Sequence, residues 1–90
     1  MEFEWDPEKS ESNRLKHGID FVDAMQLWKG RTIRRETYRG NDPERTRWIG
    51  MIGGRYWTAV TTQRDGRVRI ISVRRSRSSE KELYDVSNQA

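Results

Sequence analysis

Two alternating runs, "RYWTAVTTQR" (55–64) and "RVRIISVRR" (67–75), are separated only by Asp65 and Gly66. A two-residue Asp-Gly link between β-like segments signals a type I′ hairpin, because both central residues must take positive φ. The two runs are therefore predicted to pair as antiparallel strands. The rest of the chain has to fit around that sheet. Upstream, "RTRWIGMIGG" (45–54) ends in Gly53-Gly54 and reads as a strand turning into 55–64. "RTIRRETY" (31–38) reads as another strand, and "GNDPE" (40–44) as the loop between them. The result is a meander of about four antiparallel strands.

Helical signals flank the meander. "FEW" (3–5) reads as a short strand and leads into a helix over "PEKSESNRLKH" (7–17). Asp6 is placed to cap that helix, Pro7 sits where its missing N–H costs nothing, and Gly18 is a natural stop. In "DFVDAMQLWKG" (20–30), Asp20 caps and Gly30 closes a second helix. Its Phe21, Ala24, Met25 and Trp28 share one face and read as core. A short last helix starts at Ser78 or Ser79 and takes in "EKELYDV", and Ser79 and Glu82 have capping-box spacing. The tail "SNQA" (87–90) is expected to fray. This order predicts an α+β fold. Two N-terminal helices pack on a roughly four-stranded antiparallel sheet with a short C-terminal helix, the helices on one face and the other face partly open. At 90 residues a single domain, 1–90, is expected, with a core that leans on its nine aromatic residues (four Trp, three Tyr, two Phe).

Charge says more than size. Residues 1–30 carry seven acids and four bases, net −3; residues 31–78 carry thirteen arginines and four acids, net +9; residues 79–90 are net −2. Arginine outnumbers lysine 14 to 4. Either residue would keep the protein soluble, but arginine adds a planar fork that grips phosphate or carboxylate bidentately. The central segment fits a polyanion-binding surface, and it equally fits solvated outer faces of strands. With no cysteine, disulfides and thiolate metal sites are excluded. No apolar run approaches the roughly 20 residues that span a bilayer. The acidic start "MEFEWDPEKS" lacks the layout of a signal peptide, so a cytoplasmic protein is expected, with no membrane role.

Strict alternation in 67–75 groups Val68, Ile70, Ser72 and Arg74 on one face and Arg67, Arg69, Ile71, Val73 and Arg75 on the other. The hairpin register brings Arg74 and Arg75 near Tyr56 and Trp57, and leaves Arg64 at the turn end. An aromatic ring beside an arginine can stack with the guanidinium or with a nucleobase, a feature suited to single-stranded RNA. Tyr56 and Trp57 fit equally as core or sheet-surface residues.

Two blocks carry a resemblance. "FEWD" followed by "NRLKHGIDF" resembles the N-terminal signature of BrnT-type toxins, F-x-W-D and then N-x-x-K-H-G-[ILV]-x-F. "RIISVRRSRSSEKELY" resembles that family's C-terminal signature, R-I-I-S-A-R, then basic residues, then a helix with Glu and Tyr. Val73 stands where alanine is usual, and Thr61-Thr62-Gln63 replaces a stretch that often carries tyrosine and glutamate. The resemblance implies a type II toxin with a RelE/ParE-like fold and a ribonuclease activity that blocks translation. It also implies a BrnA-like antitoxin that binds the toxin and, through its own DNA-binding domain, represses the shared operon. Operator DNA would then be met only indirectly.

Metal-free RNA cleavage needs a base for the 2′-OH, cations for the phosphorane and an acid for the leaving oxygen. Arg74 and Arg75 are the expected phosphate clamp. His17 is the only histidine, and imidazole is the side chain that ordinarily titrates near neutrality. It fits the acid or base role, and equally a cation capping the first helix's C-terminus. Lys16 is the neighbouring candidate for phosphate. Arg64, Arg69, Trp57 and Tyr84 are candidate RNA contacts; Glu80 and Tyr84 fit a reach to the clamp from the last helix, but packing or capping is the favoured role for each. Neither a metal site nor a cofactor is expected. Two rival classes stand beside the nuclease: a ParE-type toxin that binds a protein such as DNA gyrase, and a nucleic-acid-binding module without catalysis.

Overall fold

The structure, a computed structural model, describes residues 1–87, without the side chains of Arg39, Asp42 and Pro43. Of the tail expected to fray, 87–90, Ser87 belongs to the last helix and 88–90 lie outside the described residues. The elements in chain order are β1 (Phe3–Glu4), α1 (Pro7–His17), α2 (Phe21–Ala24) continuing as a 3₁₀ segment (Met25–Lys29), β2 (Ile33–Arg39), β3 (Asp42–Ile52), β4 (Arg55–Arg64), β5 (Arg67–Arg75) and α3 (Ser78–Ser87).

The α+β class holds, with two corrections. The sheet has five strands in the order β1-β5-β4-β3-β2 and is mixed, because β1 runs parallel to β5 through Phe3↔Val68 and Glu4↔Arg69. A two-residue strand has no period to read, so its partner was not visible in the sequence. The second correction is that α3 does not join the other helices. It lies across the opposite face, where Glu80 reaches Arg47, Thr58 and Arg74.

The elements end where their local chemistry dictates. Asp6 caps α1 by accepting the Glu8 N–H, and Gly18 closes it at φ 81°. Asp20 caps α2 by accepting the Asp23 N–H at 2.8 Å. Asp65 and Gly66 take φ 51° and 76°, as a type I′ turn requires. β3 starts at Asp42, inside the expected loop, because Asp42–Arg45 pairs with β2 beyond the end of the β3–β4 ladder at Thr46.

Strict alternation fails in β5. Val60 pairs with Ser72 but Thr61 pairs with Ile70, so Ile71 is an extra, bulged residue. The bulge puts Val68, Ile70, Val73 and Arg75 on one side and Arg67, Arg69, Ser72 and Arg74 on the other. The first side faces α1 and α2 and makes the core: Ile19, Phe21, Ala24 and Leu27 from the helices meet Trp48, Trp57, Ala59, Ile70 and Val73 from the sheet. Burial of these apolar surfaces is the main force holding the helices on the sheet.

Candidate functional site

α1 is poor in apolar residues, and its attachment is polar. The buried Asn13 donates from Nδ2 to the Ile19 and Val73 carbonyls, both at 2.8 Å, and accepts the Val73 N–H on Oδ1 at 3.0 Å. Ser10 Oγ accepts the Phe21 N–H at 2.9 Å. One asparagine side chain thus completes the outer edge of β5 at Val73, as β1 does at Val68 and Arg69. Between those two anchors lie Ile71, the bulged residue, and Ser72. There a cleft of about 280 Å³ opens between helix and strand, lined by Lys9, Ser12, Asn13, Lys16, His17, Ile71 and Ser72. Lys9, Asn13 and Lys16 follow helical spacing, so two ammonium groups and an imidazole share this rim.

Beside the cleft is the sheet face opposite the core. Register and the β5 bulge place seven arginines there: Arg35, Arg45, Arg47, Arg64, Arg67, Arg69 and Arg74. Arg67 pairs with Glu2 and Arg69 with Glu4 on the β1 side. No described carboxylate pairs with Arg35, Arg45 or Arg64.

The covered half of this face centres on Glu80, whose side chain is fully buried. Arg74 grips it bidentately at 2.7 and 2.9 Å, Arg47 donates at 3.0 Å, Thr58 Oγ1 at 3.1 Å and the Arg77 N–H at 2.8 Å. Burial alone would raise this carboxyl. Hydrogen bonds from Arg74, the Arg77 N–H and Arg47 outweigh it and hold the pKa at about 2, down from 4.5. The Arg77 carbonyl takes the Lys81 N–H at 3.0 Å, so Arg77 sits at the cap position, and Glu80 three residues on accepts its N–H. The capping box expected at Ser79 and Glu82 is not formed there; its glutamate arm alone is found two residues earlier, at Arg77 and Glu80.

The predicted site residues are dispersed by this geometry. His17 and Lys16 meet at the cleft. Arg64 and Arg69 lie on the arginine face. Arg74 and Arg75 do not converge on one pocket, because neighbouring strand residues point to opposite faces. Arg74 is committed to Glu80, while Arg75 is exposed on the helical side with its guanidinium 5.6 Å from the Trp57 ring centre. Trp57 is buried in the core at 9% exposure and offers no open face to a base. Tyr84 packs edge-on against Tyr56, lies under the Arg31 guanidinium and donates to the Arg31 carbonyl. Sequence reasoning missed Asn13, Lys9, Arg35, Arg45 and Arg47. The spacing of Lys9, Asn13 and Lys16 on one helical face was the available signal for the first two. Among the described residues, no group of three or more His, Asp or Glu side chains is arranged to hold a metal ion.

Residues 5–80 match the family model described as the ribonuclease toxin, BrnT, of type II toxin-antitoxin systems. The chain belongs to the BrnT family. It is a ribonuclease toxin, and the partner that a type II system implies is a protein antitoxin. The matched span runs from Trp5 to Glu80, so this BrnT domain contains the cleft, the arginine face and the Glu80 cluster. No curated protein matches the chain. No described helix is long and apolar enough to cross a membrane.

Proposed function

We propose that this BrnT chain is a metal-independent endoribonuclease of RelE/ParE-like fold that acts in the cytoplasm, blocks translation by cutting RNA and is neutralised by a BrnA-like antitoxin carrying the operon's DNA-binding domain. The observation that carries the reading is the juxtaposition at the free edge of β5. Lys9, Lys16 and His17 rim a cleft that adjoins, through Ser72, a sheet face bearing arginines that no described carboxylate pairs. The face supplies long-range attraction and backbone grip. Arg64, Arg69 and Arg45 guide the strand toward the cleft, and Arg75 adds a contact from the helical side.

In the cleft, the 2′-oxygen attacks the adjacent phosphorus and the bond from phosphorus to the 5′-oxygen breaks. His17 moves the proton, and Lys16 with Lys9 neutralises charge on the pentavalent centre. The products are a 2′,3′-cyclic phosphate and a 5′-hydroxyl. With a single histidine, proton transfer is shared with water, and positioning carries much of the rate.

The test is cleavage of RNA by the purified protein in EDTA, with end-group analysis. Cyclic-phosphate ends are expected, and His17→Ala should lower the rate by about 10²–10⁴. Intact RNA, with DNA supercoiling inhibited instead, would move the chain to the gyrase-type reading. Co-purification with the product of the neighbouring reading frame, and restored translation when the two are co-expressed, test the antitoxin.

A further inference from the structure

Under α3 the chain has built an anion site and filled it with its own carboxylate. Two guanidinium groups, a hydroxyl and a backbone N–H converge on Glu80, which is fully buried. A guanidinium grips carboxylate and phosphate with the same fork, so this donor set fits either anion. We propose that Glu80 is a removable plug: a phosphodiester of bound RNA replaces it between Arg74 and Arg47, and α3 lifts from the sheet. The proposal rests on the RNA-cleaving reading and adds a second phosphate subsite to it.

Three observations favour exchange over a permanent structural pair. The first is continuity. Arg47 is one-third exposed and lies on the same face as Arg35 and Arg45, so the plugged site extends the open arginine surface. The second is the attachment of α3, which beyond Glu80 consists of one edge-on aromatic contact, Tyr84 on Tyr56, and a set of polar contacts. Tyr56 donates to Asp85 at 2.9 and 3.1 Å, Tyr84 donates to the Arg31 carbonyl at 3.2 Å, and Arg31 donates to Ser87 Oγ at 2.9 Å and the Tyr84 carbonyl at 3.1 Å. Hydrogen bonds of this kind exchange with water at small net cost. The third is that α3 gives nothing to the hydrophobic core cluster, and its own Val86 is 60% exposed. On the sheet face that carries Glu80's partners, the fully buried apolar side chain among the described residues is Ile49. The arginines left behind would be costly if unpaired, so the exchange requires an incoming anion.

A detached ten-residue helix does not hold its own hydrogen bonds in water. Hydrogen–deuterium exchange of the wild-type chain, with and without a 2′-O-methyl RNA oligonucleotide that lacks the nucleophile, therefore reads the plug directly. RNA should speed exchange at the amides of Lys81–Ser87; unchanged or slower exchange overturns the proposal. Glu80→Gln should tighten binding of that oligonucleotide several-fold. Glu80→Gln with Arg74→Gln removes both members of the more buried pair and leaves only the one-third-exposed Arg47 without its carboxylate. This double variant should lose the gain and lower the slope of log affinity against log salt by about 0.7, one single-strand phosphate contact. Equal affinity of the two variants overturns the proposal, as does faster α3 exchange with an acidic peptide but not with RNA. Failure of the wild type to bind or cleave RNA would sink the nuclease reading itself. Cleavage with α3 still protected would sink only the plug.

Discussion

Asn13 closes a stretch of sheet edge that no strand covers, and it does so with one amide. Replacing it with alanine strands the Val73 N–H and two carbonyls in a buried setting. At about 1–3 kcal/mol for each unsatisfied group, a loss of about 3 kcal/mol is expected, lowering Tm by more than about 10 °C in a domain of this size. Asn13→Asp should fare no better, because a carboxylate oxygen would face the carbonyls that Nδ2 now serves. Thermal melts of the two variants check this, and an unchanged Tm would refute it. Glu80 has a different signature. Its folded pKa of about 2 lies below the ordinary 4.5, so its contribution is fully present above pH 4.5 and drains away as pH falls toward 2. The gap corresponds to about 3 kcal/mol. Urea midpoints of the wild type should fall steeply through that window, while those of Glu80→Gln should start lower and fall less. Parallel acid limbs would show that the carboxylate is not paired as described.

At the scale of elements, one glycine decides how closely the 3₁₀ segment approaches β3. A Cβ on Gly50 would meet Leu27 Cδ1 at 2.9 Å, Thr32 Cγ2 at 3.1 Å and Leu27 Cγ at 3.2 Å. Leu27 is fully buried, so it cannot make room by swinging out into solvent. Gly50→Ala should therefore cost about 1–3 kcal/mol, measured as a drop in urea midpoint at constant m, with the far-UV spectrum retained. Elements with strong local chemistry were legible in sequence: the Asp65-Gly66 turn, the Gly53-Gly54 turn, and the Asp6 and Gly18 ends of α1. Those set by tertiary contact were not. β1 is too short to show alternation. Ile71 looks like any strand residue until Ser72 is seen opposite Val60. The side on which α3 lies follows Glu80, which the sequence placed near the clamp without showing which sheet face it would enter. The site was legible in the same partial way. Lys16 and His17 belong to a helix whose ends were clear, and they meet at the cleft. Arg74 and Arg75 sit on one strand whose neighbours point oppositely, so adjacency in sequence became separation in space.

Across the whole molecule, the excess charge of residues 31–78 was plain from composition, but its division between two faces was not, because the division depends on the bulge. The sheet sorts it. One face buries Trp48, Trp57 and their neighbours under α1 and α2, and the other displays arginines around the Glu80 cluster. If that second face holds the RNA backbone, position should matter more than net charge. Converting Arg35, Arg45 and Arg64 together to glutamine removes three positive charges from it. For a single-stranded 2′-O-methyl RNA, the slope of log affinity against log salt should shrink by about 2, near 0.7 per lost phosphate contact. Converting Arg14, Lys29 and Arg55 removes the same charge from exposed positions off that face. At physiological ionic strength, screening acts over about 8 Å, so this second variant should keep the parental slope. The two triple variants have equal net charge, and a salt titration of each separates a defined interface from diffuse attraction. Equal slopes for both would mean that the arginine face is not where RNA lies.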